Sequence, residues 1–549
     1  MYMKKVLNIF SALALSALTM TSCVEETFPE DGSATSDQIG ASATALEAAV
    51  NGIPSKMVQG YLVYGDQVHE SDLSYPQFMI AQTEMLGDMY PLGDNSGYDW
   101  FSEYNTFHRN FGENSYYAYL PWFTLYQLVK ASNEVLSSVD ITDESLSNEI
   151  KGLAGIAYAS RAFQYYMLMV LFEPVENNYT DISKVKGLTV PIITEKTTSE
   201  EAKNNPRVPR EQLLEFILSD LDNAEKCLAN YTPSSDLFPD LAVVYGIKAK
   251  VYLWNEQYDK AAEYARKAID ESGASPVTAE QWEDPITGFN TANQAWMWYL
   301  HYSNDNMGNL ANFTGHIAGE ADWGYSQLSM PGIDRSLYDA IADDDFRKHS
   351  FIDPQKTGYY AYKSVRGDEW IEAARPYQSI KFRCGSGDYK TYSVGAAVDV
   401  PVMRVEEMFF IEAEAVGMSQ GVAAGVAKLN SFMQSYRQPS YNFATTDART
   451  FQLEVLKQMR IEFWGEGNAF PSAKRIKPDI IQNYEGTNAP NDNFKINCKG
   501  IKPNWNLLFP VFESDANNAL KGLNNPDPTA TVVGPTPIGE FAPSKNAAQ

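Results

Sequence analysis

Alternating charge is the densest source of potential chemistry in the chain. Arg404, Glu407 and Glu414 fall within PVMRVEEMFFIEAEA (401–415), and Arg460, Glu462 and Glu466 within RIEFWGEG (460–467). Two carboxylates could share acid and base roles, as in glycoside hydrolysis, if one had a raised pKa beside an ionised partner. Arginines at i, i+2 or i, i+3 oppose this, because a paired carboxylate is held below its ordinary pKa and is a poor acid. The pattern therefore reads as ion pairing at helix junctions. The five histidines, His69, His108, His301, His316 and His349, form no HExxH motif and no close pair, so zinc has little support. No GxSxG elbow surrounds any serine, and Gly465 and Gly467 read as a helix end, not a phosphate loop. Asp343-Asp344-Asp345 could offer oxygens to calcium but lacks the spacing of a calcium loop, and reads as an acidic turn. No cofactor and no metal are expected.

Aromatic side chains are the second resource. The chain has 10 Trp, 33 Tyr and 27 Phe, a surplus that either fills a helical core or lines a recognition surface. Sugar rings present flat C–H faces and many hydroxyls, so a glycan platform needs exposed rings with polar side chains beside them. Two segments have that mix. One is 88–109, with Asp88, Asn95, Tyr98, Trp100 and Arg109; the other is 296–325, with Trp296, Asn304, Trp323 and Tyr325. Tyr98, Trp100, Trp323 and Tyr325 lead, because their glycine and polar neighbours leave little helix to pack within.

Helical periodicity dominates the elements that must position these residues. Apolar spacing predicts helices over Ala45–Met57 (broken near Pro54), Gln77–Met89, residues 121–139, Glu149–Leu171 and 209–229. Over 241–271, small residues recur at Ala249, Ala261, Ala265 and Ala268, the spacing that lets antiparallel helices approach as in tetratricopeptide pairs. A further pair is expected at Met403–Met418 and Ala423–Arg437. Residues 275–400 are rich in Gly, Asn, Asp and aromatics and read as irregular structure with short strands, and the tail after Pro503 as loop wrapping the body. The expected class is mainly α.

The 549 residues carry 43 Lys+Arg against 70 Asp+Glu, a formal charge of −27, which disfavours any nucleic-acid surface. Lys4-Lys5, an apolar run from Val6 to Leu18 and Thr21-Ser22-Cys23 form a secretory signal that resembles a bacterial lipobox, with Cys23 the lipidated mature end. Loss of residues 1–22 would remove both lysines and leave −29, a surface that suits a neutral glycan better than a sulfated or uronic one unless a local basic pocket overrides it. Val24-Glu25-Glu26 resembles the surface-export signal of outer-membrane lipoproteins in Bacteroidetes-type bacteria. Cys227, Cys384 and Cys498 are an odd set at wide spacing, with no disulfide framework. The expected organisation is a signal peptide (1–22), a tether (23–43), a helical region (44–275) and a C-terminal region (276–549) packed with it as one body.

The segments 401–415, AKLNSFMQSYR (427–437) and RIEFWGEGNAFPSAKRIK (460–477) resemble the C-terminal signature of SusD/RagB-like lipoproteins. Arg460, Glu462, Trp464-Gly465-Glu466-Gly467 and Lys474-Arg475 fall where that family places them. Trp122, Tyr126, Asn133, the helix 161–172 and the repeat at 241–271 follow its order. Asn468 stands where an arginine is common, and Pro471-Ser472 replaces the usual aromatic and acidic residues. The resemblance implies a tetratricopeptide-like helical fold and a non-enzymatic surface lid for a SusC-like TonB-dependent outer-membrane transporter, capturing oligosaccharide. Rival expectations are a RagB-like peptide-capturing lid, a surface glycosidase and a helical-repeat scaffold.

Overall fold

The computed structural model describes residues 42–59, 74–93, 100–107, 111–308, 312–356, 364–529 and 534–545, with residues 40, 310, 531 and 532. Cys23, Asn95, Tyr98, Arg109, the signal segment and nearly all of the expected tether lie outside them.

The protein is mainly helical. The longer helices of the first half are α1 (Ala43–Val58), α2 (Tyr75–Leu86), α3 (Tyr116–Leu136), α4 (Asn148–Phe172), α5 (Arg210–Leu228), α6 (Leu241–Trp254) and α7 (Tyr258–Ser272). Those of the second are α8 (Val405–Ser419), α9 (Val422–Tyr436), α10 (Ala448–Glu462) and α11 (Ala469–Ile476). Local chemistry fixes many of their starts. Ser42, Ser115, Ser147, Asp240 and Asp447 each accept a backbone N–H of the first turn through the side chain, satisfying a donor the helix leaves unpaired. Gly87 ends α2 in the left-handed conformation.

Pro54 does not break α1, contrary to the sequence expectation. The helix buries Leu46, Val50, Ile53 and Met57 on one face against α3 and α4, and that packing outweighs the lost backbone hydrogen bond. Ser55 Oγ also donates to Asn51 O at 2.8 Å beside the gap.

Successive helices pack as pairs, α3 on α4, α4 on α5, α6 on α7 and α8 on α9. Small residues set the spacing. A Cβ placed on Gly155 of α4 would lie 2.8 Å from Cys227 Cβ of α5, so Cys227 is a packed apolar residue at a close helix approach. Cys227, Cys384 and Cys498 are all free and buried.

The two halves are joined throughout. Ala261, Ala265 and Ala268 of α7 are buried where α7 packs on α8, and Arg266 bonds Glu412 across that contact. Lys474 of α11 donates to Val170, Leu171 and Glu173 carbonyls at 2.8, 3.3 and 3.0 Å, capping the C-terminus of α4 with its side-chain nitrogen. In the tail, Trp505 Nε1 donates to Met85 O at 2.8 Å and Glu513 accepts from Trp122 Nε1 at 3.1 Å.

Among the described residues, three two-stranded antiparallel ribbons stand among the helices. β1 (Met89–Pro91) pairs with β3 (Pro331–Ile333), β2 (Trp296–His301) with β4 (Asp399–Arg404), and β5 (Ile480–Ile481) with β6 (Asn497–Cys498). Short helices and loops fill much of 275–400 and rest on this body.

Candidate functional site

The signature charges collapse into a buried network where β4, α8, α9 and α10 meet. Arg404 bonds Glu466 at 2.7 and 3.0 Å and Glu462 at 3.1 Å. Arg437 bonds Glu462 at 2.7 and 2.8 Å and Glu406 at 2.9 Å. Arg347 reaches Glu462 at 3.1 Å and Asp345 at 2.7 Å, and Lys381 reaches Glu466 at 2.6 Å. Burial would raise the Glu462 carboxyl, but Arg437, Arg404 and Arg347 together hold it well below the ordinary carboxylate range. Burial, with Arg404 nearby, pushes Lys381 down to about 8. A carboxylate clamped by three guanidiniums and sealed from water is arranged for structure and not for proton donation.

The pairing partners differ from the near neighbours suggested by the sequence. Arg460 pairs with Asp88, 372 positions away, and not with Glu462. Trp464 Nε1 donates to Asp88 O at 2.8 Å, so the signature also holds the start of β1. Glu414 accepts two bonds of 2.7 Å from Arg475. Glu407 is paired with Lys250 at 2.6 Å, and Asn468 donates to its other oxygen at 3.0 Å. Where an arginine was expected at 468, an amide thus supplies the hydrogen bond and Lys250 of α6 supplies the charge.

The expected platform residues separate into several environments. Asp88 is only 1% exposed and committed to Arg460, so it presents no surface carboxylate. Trp296 is 4% exposed in β2, packed near Phe289 and Tyr299 with ring centroids 6.2 and 6.4 Å away. Trp323 is 4% exposed and Tyr325 is buried too. Asn304 is exposed in the loop after β2. Trp100 opens a short turn, Trp100–Ser102. The next residue, Phe101, meets His316 edge-on at 5.0 Å, and His316 lies 4.4 Å from Tyr325. The two aromatic segments therefore do meet, but through buried rings around a cavity of about 30 Å³, enough for one water.

Above Trp323 lies a surface that the sequence reading passed over. A Cβ on Gly395 would lie 2.5 Å from the Trp323 ring, so the 388–395 loop folds directly over that indole. This loop carries Tyr389, half-buried, and Tyr392, 37% exposed. The Arg366 guanidinium sits 4.9 Å from the Tyr389 ring and 5.3 Å from that of Trp370, which is half-buried on the short helix Asp368–Ala373. Arg366 also donates to Glu320 O at 3.2 Å and lies 3.6 Å from Asp322, whose Oδ1 accepts from Gln327 Nε2 at 2.7 Å. Asp322 N donates to Tyr389 O at 2.8 Å and ties the two loops together. Two backbone N–H bonds, from Thr391 and Lys390, hold Asp388 below the ordinary carboxylate range and fix the turn. Exposed Val394 in this loop and exposed Ile286 beside Gly387 extend the apolar surface. The cluster has rings to stack on sugar C–H faces and an Arg–Asp–Gln set to bond hydroxyls. GSGDYKTY (385–392) met the same criterion, tyrosine flanked by glycine and acid, and could have been found by it.

The fold and this surface define a body of paired helices carrying a loop-built aromatic face. Comparison with known proteins is consistent and more specific. Residues 74–253 match a SusD-like family described as "Starch-binding associating with outer membrane". SusD-like protein P2 of Formosa agariphila is 23% identical over 485 residues, covering 83% of this chain and 88% of the relative. A SusD-like carbohydrate binding protein from Bacteroides vulgatus superposes with a TM-score of 0.69 at 19% identity, covering 87% of this chain and 97% of that one. A SusD superfamily protein from Bacteroides thetaiotaomicron gives 0.66 at 20% identity, covering 88% and 100%. In sequence the chain is similar to SusD-like proteins over residues 74–253 and along most of one relative, and its fold is the one they share.

Proposed function

We propose that the protein is a non-catalytic, cell-surface lipoprotein that captures a neutral oligosaccharide and passes it to a SusC-like TonB-dependent outer-membrane transporter. Similarity to the SusD-like family supports a carbohydrate-binding role. The observation that carries the reading is the grouping of Trp370 and Tyr389 around Arg366, with Asp322 and Gln327 bonded beside it and exposed Tyr392 on the same loop as Tyr389. The rings would take the C–H faces of sugars, and the polar side chains would fix their hydroxyls. Trp323 supports this face from beneath. Among the described residues no helix is long and apolar enough to cross a membrane. Attachment in this reading is through lipidated Cys23.

Calorimetry of the purified chain against a panel of neutral oligosaccharides tests the proposal. One or more should bind, and Trp370→Ala with Tyr392→Ala should weaken that binding about tenfold or more, as expected for about 1–2 kcal/mol of lost stacking. The thermal midpoint should move little, because both rings are partly exposed. Unchanged affinity in the folded double variant would remove the face from the site, and saturable hydrolysis of a glycan would refute the non-catalytic role.

A further inference from the structure

Two adjoining cavities of about 460 and 650 Å³ share Glu176, Ile182, Lys186 and Lys477 and form one trough. It lies between the segment that follows α4, the turn at Lys477 that ends α11, the 499–501 turn and the C-terminal Lys545. It shares no residue with the aromatic face.

Its charge runs against the rest of the molecule. On a chain with 43 basic and 70 acidic residues, the trough is lined by Lys186, Arg210, Arg475, Lys477, Lys499 and Lys545 against four carboxylates, those of Glu173, Glu176, Asp181 and Glu256. Arg210 and Arg475 are fixed in the wall, bonded to Glu173 at 2.5 Å and Glu414 at 2.7 Å. The lysines are differently placed. Lys186 and Lys499 pair with Glu176 and Asp479 at 2.6 Å, but their side chains are 64% and 61% exposed, and such pairs are worth at most about 1 kcal/mol. Lys545 donates to Thr180 O at 2.8 Å. Lys477 has no ion-pair partner among the described residues, and its φ of 57° sets it in the left-handed cap of α11. Lys186, then Lys477 and Lys545, hold the Glu176 carboxyl below its ordinary range, so their fields converge on one point of the trough. Asn177, Asn178 and Ser183 line the larger cavity between these charges.

Exposed ammonium groups held by weak pairs exchange readily onto an anion, and amides and hydroxyls between them suit a hydroxyl-rich chain. We infer that this trough binds an anionic saccharide segment, sulfated or bearing uronic acids, through Lys186, Lys477, Lys499 and Lys545. It is the local exception to an acidic surface that otherwise favours neutral ligands, and it stands independently of the aromatic face.

The test is titration of the full chain with dextran sulfate, polygalacturonate and uncharged dextran of matched length, at 25 and 250 mM salt. At least one polyanion should bind more tightly than dextran, and its affinity should fall at the higher salt. The triple variant Lys186→Gln, Lys477→Asn, Lys499→Gln should lose tenfold or more and show a flatter salt dependence. Asn tolerates the left-handed backbone at 477, and the thermal midpoint verifies folding. Trp370→Ala should leave polyanion binding unchanged, which separates this site from the aromatic one. Equal binding by the triple variant and the wild type, or no polyanion binding by the wild type, would overturn the assignment. Lysine-dependent binding to lipopolysaccharide vesicles without binding to either polyanion would overturn it too, assigning the trough to a membrane surface.

Discussion

Glu462→Gln is the substitution that most sharply separates a structural carboxylate from a catalytic one. Glu462 is fully buried, and its two oxygens accept four guanidinium N–H bonds, at 2.7 and 2.8 Å from Arg437 and 3.1 Å each from Arg404 and Arg347. Glutamine keeps the volume but turns one acceptor into an NH₂ that faces donors, and leaves the guanidiniums with uncompensated charge. Removing one partner of a buried ion pair costs about 3–5 kcal/mol. Against a typical total of about 5–15 kcal/mol, that is a large fraction of the stability. Urea denaturation at pH 7 measures it directly.

The pH dependence gives a second, independent signature. The folded carboxyl lies below its unfolded value of 4.5, so its contribution is complete above that pH and is lost as pH falls through the folded pKa. Wild type should therefore lose stability on acidification below about pH 4.5, and the gap between wild type and Glu462→Gln should narrow there. A loss under about 1 kcal/mol at pH 7, below the range for a broken buried pair, or a gap that does not change with pH would refute the network reasoning. If Glu462 were instead a catalytic acid, the variant would fold as well as wild type and lose a hydrolytic activity.

Trp323→Ala should cost about 3–5 kcal/mol in chemical denaturation, because the indole is 4% exposed and the 388–395 loop rests on it; a loss under 1 kcal/mol would return Trp323 to the surface. Burial lowers Lys474 to about 7 from 10.5, so the unfolded chain binds more protons between those values and Lys474 makes stability rise with pH across that window. Lys474→Met should flatten that part of the stability–pH curve, and an identical slope in both proteins would contradict it. Cys23→Ala should release the protein from membranes on fractionation, and its retention there would sink the lipid-anchor expectation.

Local chemistry determined a good deal by itself. The 3–4 spacing of apolar residues marks the long helices, and alanines at 249, 261, 265 and 268 mark the close pair because only small side chains let backbones approach. The RIEFWGEG stretch was enough to suggest the family. Tertiary structure decided which charges meet and which rings are covered. Asp88 carried the same surface chemistry as any loop acid until Arg460, 372 positions away, was packed beside it, and no spacing rule reaches that far. Trp323 looked exposed because its neighbours are Gly and Asp, yet a loop seventy residues on closes over it, while Trp370 and Tyr392 stay partly open. Burial depends on what packs from elsewhere in the chain, so residue type and spacing indicate what a side chain could do, and only the assembled fold settles whether solvent or a ligand can reach it.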